Sequence, residues 1–110
     1  MGKDNEKTYK TIEYDGKTYE LKYNLKRIEL IENATGTPIL ASMQNGMMRI
    51  SHLKAYIGYG LKEEGADTFV NPKVGLDVAE ALIETQGYVW AGQTVAEALE
   101  RDCPFFFRVD

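Results

Sequence analysis

The turn Asp15-Gly16-Lys17, with its Asp-Gly pair, constrains this chain more than any other feature. It sits between two stretches that alternate apolar and polar residues, TYKTIEY at 8–14 and TYELKY at 18–23. Alternation sends successive side chains to opposite faces of a strand, and Asp-Gly closes a tight hairpin because glycine tolerates the positive φ that the turn demands. One face of the second strand carries Tyr19, Leu21 and Tyr23, the other Thr18, Glu20 and Lys22. A hairpin alone is marginal in water, so this one must lie on an apolar partner.

The rest of the chain supplies that partner as helices. Asn24 is placed to cap a helix over Leu25–Ala34, with Leu25, Ile28, Ile31 and Ala34 on one side and Gly36 as its left-handed stop. Thr37-Pro38 starts a short helix through Ile39, Leu40 and Met43 to about Asn45. Ser51 is the expected cap of a third helix, with Leu53, Tyr56, Ile57 and Leu61 on one face and Gly65 at its end. Asn71-Pro72 opens a fourth, with Val74, Val78, Ala79, Leu82 and Ile83 as its stripe and Gly87 as its end. Thr94 and Glu97 have the spacing of a capping box, which predicts a short fifth helix that stops before Pro104. The pentapeptide VAEAL occurs at 78–82 and again at 95–99, one amphipathic solution used twice. The fold class expected is α+β, an N-terminal β-hairpin followed by about five short α-helices. Residues 1–8 read as a disordered leader and 9–110 as a single α+β domain with an apolar C-terminal strip, since no linker-like segment divides them.

Composition narrows the chemistry. At 110 residues the chain has room for one core. Lys plus Arg number 13 and Asp plus Glu 17, a net charge of −4, which argues against capture of nucleic acid. One cysteine, Cys103, and one histidine, His52, leave no disulfide framework and no zinc set, so neither metal nor cofactor is expected. Catalysis by the two is not expected either. His52 falls in the first turn of a helix, where an exposed structural histidine is common, and Cys103 follows Asp102, whose charge disfavours a thiolate. Glycines occur singly, without a phosphate-binding pattern. Gly58 and Gly60 in AYIGYGL, each costly inside a helix, point to close helix packing or an irregular helix end. No apolar run approaches the roughly 18 residues that cross a bilayer, so no membrane partner is expected.

Charge is unevenly spread. Residues 37–62 hold three basic side chains (Arg49, Lys54, Lys62) and no acidic one, whereas residues 63–110 hold three basic and ten acidic. Two apolar stretches stand out as partner-binding candidates: Met47 and Met48 between helices, and Phe105, Phe106 and Phe107 after the last one. Methionine suits adaptable surfaces, and three consecutive rings cannot all face one core.

The segment YDGKTYELKYNLKRIELIENATGTPI, with Tyr19, Leu21, Tyr23, Leu25, Ile28, Ile31, Glu32, Ala34, Thr35 and Gly36 in fixed spacing, resembles the tail assembly chaperone family of long-tailed bacteriophages and gene transfer agents. SHLKAYIGYGLKEEG and the VAEAL helices are similar to its later blocks; the loop ADTFVNP and the phenylalanine-rich end depart from it. The resemblance implies a non-enzymatic protein in the cytoplasm of the bacterial host. It would bind the phage tape measure protein, keep it soluble and help recruit the tail tube protein, with self-association possible. No residue-level site carries over from the family. Two other readings stay open: a structural tail component retained in the particle, and a small regulator that binds nucleic acid or protein through a basic face around residues 49–62.

Overall fold

The computed structural model describes residues 10–43 and 48–107, with the side chain of Phe107 outside that description; the expected leader, residues 1–8, lies outside it as well. The hairpin forms about a two-residue turn, Asp15-Gly16; Lys17, expected in the turn, pairs with Tyr14 instead, and the second strand stops at Leu21 rather than Tyr23. Strand β1 (Thr11–Tyr14) pairs antiparallel with β2 (Lys17–Leu21), Ile12 opposite Tyr19. Asp15 and Gly16 both take positive φ, +52° and +77°, the geometry that matches the twist of the flanking strands. Tyr19, Leu21 and Tyr23 are buried together, as their shared face requires.

Helix α1 (Leu25–Thr35) is capped by Asn24, whose side chain accepts from the Arg27 amide at 2.8 Å, and Gly36 closes it at φ +70°. Ile28 and Ile31 are its buried residues; Leu25 and Ala34, expected beside them, are exposed at the two ends of the helix. The short α2 (Ile39–Ser42) has no side-chain cap from Thr37. The Glu32 carboxylate takes that role from α1, accepting from the Ile39 amide at 2.8 Å. Met43 ends α2 before the expected Asn45, which lies outside the described residues.

Helix α3 (Ile50–Gly60) begins one residue before Ser51, with Arg49 at the cap position and no side-chain cap. It also ends earlier than the sequence predicts. Leu61–Glu63 form a third strand, β3, with Leu61 opposite Leu21, so the sheet has the order β1-β2-β3. The free edge of β2 competes with a further helical turn: the Lys22 amide donates to Gly60 O at 2.9 Å, and Glu64 N donates to Thr18 O at 2.9 Å. Gly60 is where a side chain would fail, because a Cβ there would stand 2.6 Å from the Tyr23 ring.

Helix α4 (Pro72–Gln86) follows the Asn71-Pro72 signal, the Asn71 side chain accepting from Lys73 N at 2.9 Å. Val74 is exposed instead of joining the stripe, and Gly75 makes the contact with α3. A Cβ on Gly75 would lie 2.3 Å from Gly58 O, and one on Gly58 would lie 3.1 Å from the Leu76 backbone. The two glycines let these helices touch backbone to backbone, so the packing reading of AYIGYGL holds for Gly58 and the helix-end reading for Gly60. Gly87, at φ +98°, is the whole connection to α5 (Tyr88–Asp102).

That last helix starts six residues before the expected Thr94. Thr94 is not a cap but a buried residue in mid-helix, because Gly87 has already reversed the chain and the second VAEAL needs Val95, Ala98 and Leu99 inward. The C-terminal end of α5 is tied to the hairpin. The Asp102 carboxylate, 2% exposed, accepts from the Tyr23 amide at 2.9 Å and from Arg101, while the Arg101 guanidinium also donates to Leu21 O. A 3-10 turn, Pro104–Phe107, ends the described chain. The architecture is α+β, with Ile31, Leu53, Tyr56, Ile57, Leu82 and Leu99 in a core shared by sheet and helices. No helix among the described residues is long and apolar enough to cross a membrane.

Candidate functional site

Helix α3 treats its neighbours α4 and α5 differently. On α4 the backbones meet. Towards α5 the helices leave an apolar groove of about 510 Å³. Leu53 of α3 and Val95 and Leu99 of α5, all buried, form its floor. Met43 and Met48 make one wall. The other is the outward side of α5: Tyr88, Val89, Gly92, Gln93 and Ala96. Among the described residues, none that lines it is charged.

Local sequence explains the walls. Met48 precedes Arg49, the extended cap residue of α3, and its main chain is held by Tyr88: the Tyr88 hydroxyl donates to Met48 O at 2.7 Å and accepts from Met48 N at 3.2 Å. Val89 is 67% exposed at the rim. Gly92 leaves the middle of the α5 wall without a side chain, and among the described residues a Cβ there would meet nothing within 4 Å.

Of the residues singled out in the sequence, Met48 lines this groove. Phe105 and Phe106 stand outside its lining among the described residues. Their rings pack at 4.7 Å between centroids; Phe106 is half-buried against the core and Phe105 is 44% exposed. The chain therefore divides the two apolar stretches between the groove and the end of α5. Met47 and the Phe107 side chain lie outside the described residues. Tyr88, Val89, Gly92, Gln93 and Ala96 were missed by sequence reasoning. The signal available was YVWAGQTVA at 88–96, nine residues without a charge.

The groove offers burial and little chemistry. Its one hydroxyl, on Tyr88, is already engaged by the Met48 backbone. His52 is buried rather than exposed as expected, since α2 folds over the start of α3 and brings Ser42 Oγ to 3.1 Å from its Nδ1. It borders a separate recess with Ser51, Lys54, Tyr59 and Leu76. Cys103 is sealed in the core. No group of His, Cys, Asp and Glu among the described residues has the arrangement of a metal site. Burial pushes the Tyr23 and Tyr56 hydroxyls above the ordinary tyrosine range, which keeps both neutral as core residues. Arg27 reaches over the Phe69 ring at 3.9 Å and donates to Tyr59 O; burial lowers its pKa.

The basic face around residues 49–62 is largely neutralised. Lys62 is buried against Glu20 at 2.8 Å and Lys54 meets Glu80 at 3.3 Å. Compared with known proteins, the chain matches no family model, no curated protein and no solved structure.

Proposed function

We propose that this protein is a non-catalytic binding protein of the kind its sequence resembles, a phage tail assembly chaperone that holds the tape measure protein in solution and helps recruit the tail tube protein. The observation that carries the reading is the uncharged groove walled by Met43 and Met48, a surface that gains energy by burying apolar side chains of another chain. A chaperone of this type needs such a surface on an otherwise acidic, soluble body, and a net charge of −4 supplies the rest. Phe105 adds a second exposed apolar point at the end of α5. The regulator reading loses its basic face to the Glu20 and Glu80 ion pairs. The retained structural component draws no support from three short strands.

Co-expression with the tape measure protein of the same phage genome tests the proposal. The soluble fraction of the tape measure protein is expected to rise severalfold, and the double variant Met48→Glu, Val89→Glu is expected to abolish the rise while its own thermal melt stays cooperative. A tape measure protein that remains insoluble beside the wild-type chain would overturn the reading.

A further inference from the structure

The outward line of α5 runs Val89, Gln93, Ala96, Glu100, at the four- and three-residue spacing that stacks side chains on one helix face. It spans about 16 Å, three helical turns. Charge appears only at its ends. Near its N-terminal end the Tyr88 hydroxyl holds the Met48 backbone, and Arg49 is the next residue in the chain. At its C-terminal end stands Glu100. Both are exposed, and among the described residues neither has an ion-pair partner.

We infer that a second copy of this chain covers the groove, with α5 against α5 in antiparallel order across a two-fold axis. Antiparallel order places Glu100 of each copy beside Arg49 of the other, and the symmetry makes the pair twice. Parallel order would set Glu100 against Glu100 and Arg49 against Arg49, so charge selects the orientation. The axis falls near the middle of the line, where Gly92 of one copy faces Ala96 of the other. Small residues there let the helices approach closely.

Gly92 supports this independently. A helical glycine costs stability relative to alanine. Among the described residues the other three helical glycines, Gly58, Gly60 and Gly75, each have a neighbour that a Cβ would strike, and Gly92 has none. Its missing side chain leaves room on the groove wall for the approach of a second helix. The inference goes beyond the proposed function but shares its groove, so the second copy covers it only until the tape measure protein displaces that copy.

Sedimentation equilibrium of the whole chain tests it at low salt. A dimer is expected, with Arg49→Glu and Glu100→Arg each weakening it about tenfold or more and the double reversal restoring it. Gly92→Leu is expected to give a monomer with unchanged helical content. A wild-type chain that is monomeric at every concentration, or a dimer that neither single reversal weakens, overturns the inference. A monomer that still solubilises the tape measure protein defeats this inference alone; a charge-sensitive dimer that does not solubilise it defeats the chaperone reading alone.

Discussion

The same five residues, VAEAL, close one helix contact and leave another open. In α4 they bury Val78, Ala79 and Leu82 in the core, beside a glycine contact with α3 so close that backbones touch. In α5 they bury Val95, Ala98 and Leu99, while Ala96 stays half-open on the groove wall. Local sequence does not separate the two outcomes. The neighbours of the motif do: Gly75 is met by Gly58, whereas Gly92 is met by nothing among the described residues. A glycine that is filled by its own chain reports on folding. One left empty reports on what the chain is built to receive.

Alanine at the two positions turns that contrast into opposite signs. Gly75→Ala drives a Cβ to 2.3 Å from a backbone oxygen that cannot rotate away. It is expected to cost about 3 kcal/mol, read as a lowered denaturant midpoint. A loss under about 1 kcal/mol would mean that the α3–α4 contact yields as easily as the groove does.

The next effect asks whether α5 is held away from α3 by its tether to the hairpin. Asp102→Ala leaves the Tyr23 amide and the Arg101 guanidinium without their carboxylate and is expected to cost about 2 kcal/mol. If the tether holds the groove open, the variant also loses binding of an apolar fluorescent dye to the groove. Unchanged dye binding would place the cause in the α5 residues themselves. The smallest effect is Gly92→Ala, expected to raise the stability of the monomer by up to about 1 kcal/mol, since it improves helix propensity and strikes nothing. A destabilised monomer would show that the groove is filled from within.

Much of the fold was legible in the sequence because its punctuation is local. Asp15-Gly16, Asn24, Gly36 and Asn71-Pro72 act on the residues beside them, and each does in the structure what its chemistry predicts. The errors fall where a distant partner decides. Leu61–Glu63 is too short for alternation to show, and it is a strand only because the edge of β2 lies beside it. Thr94 and Glu97 have capping-box spacing, yet Gly87 had already begun the helix. The candidate site follows the same rule. Met48 could be picked out by residue type, but a groove is the space left between helices, and no single segment of sequence contains it. The uncharged runs 37–48 and 88–96 were its linear traces.

The bond from the Tyr23 amide to Asp102 spans 79 positions of chain. Translation delivers the hairpin well before its clasp. Until α5 leaves the ribosome, one main-chain donor of the nascent protein has only water to bind. Closure therefore waits for α5, and the partly made domain shows more bare apolar surface than the folded one.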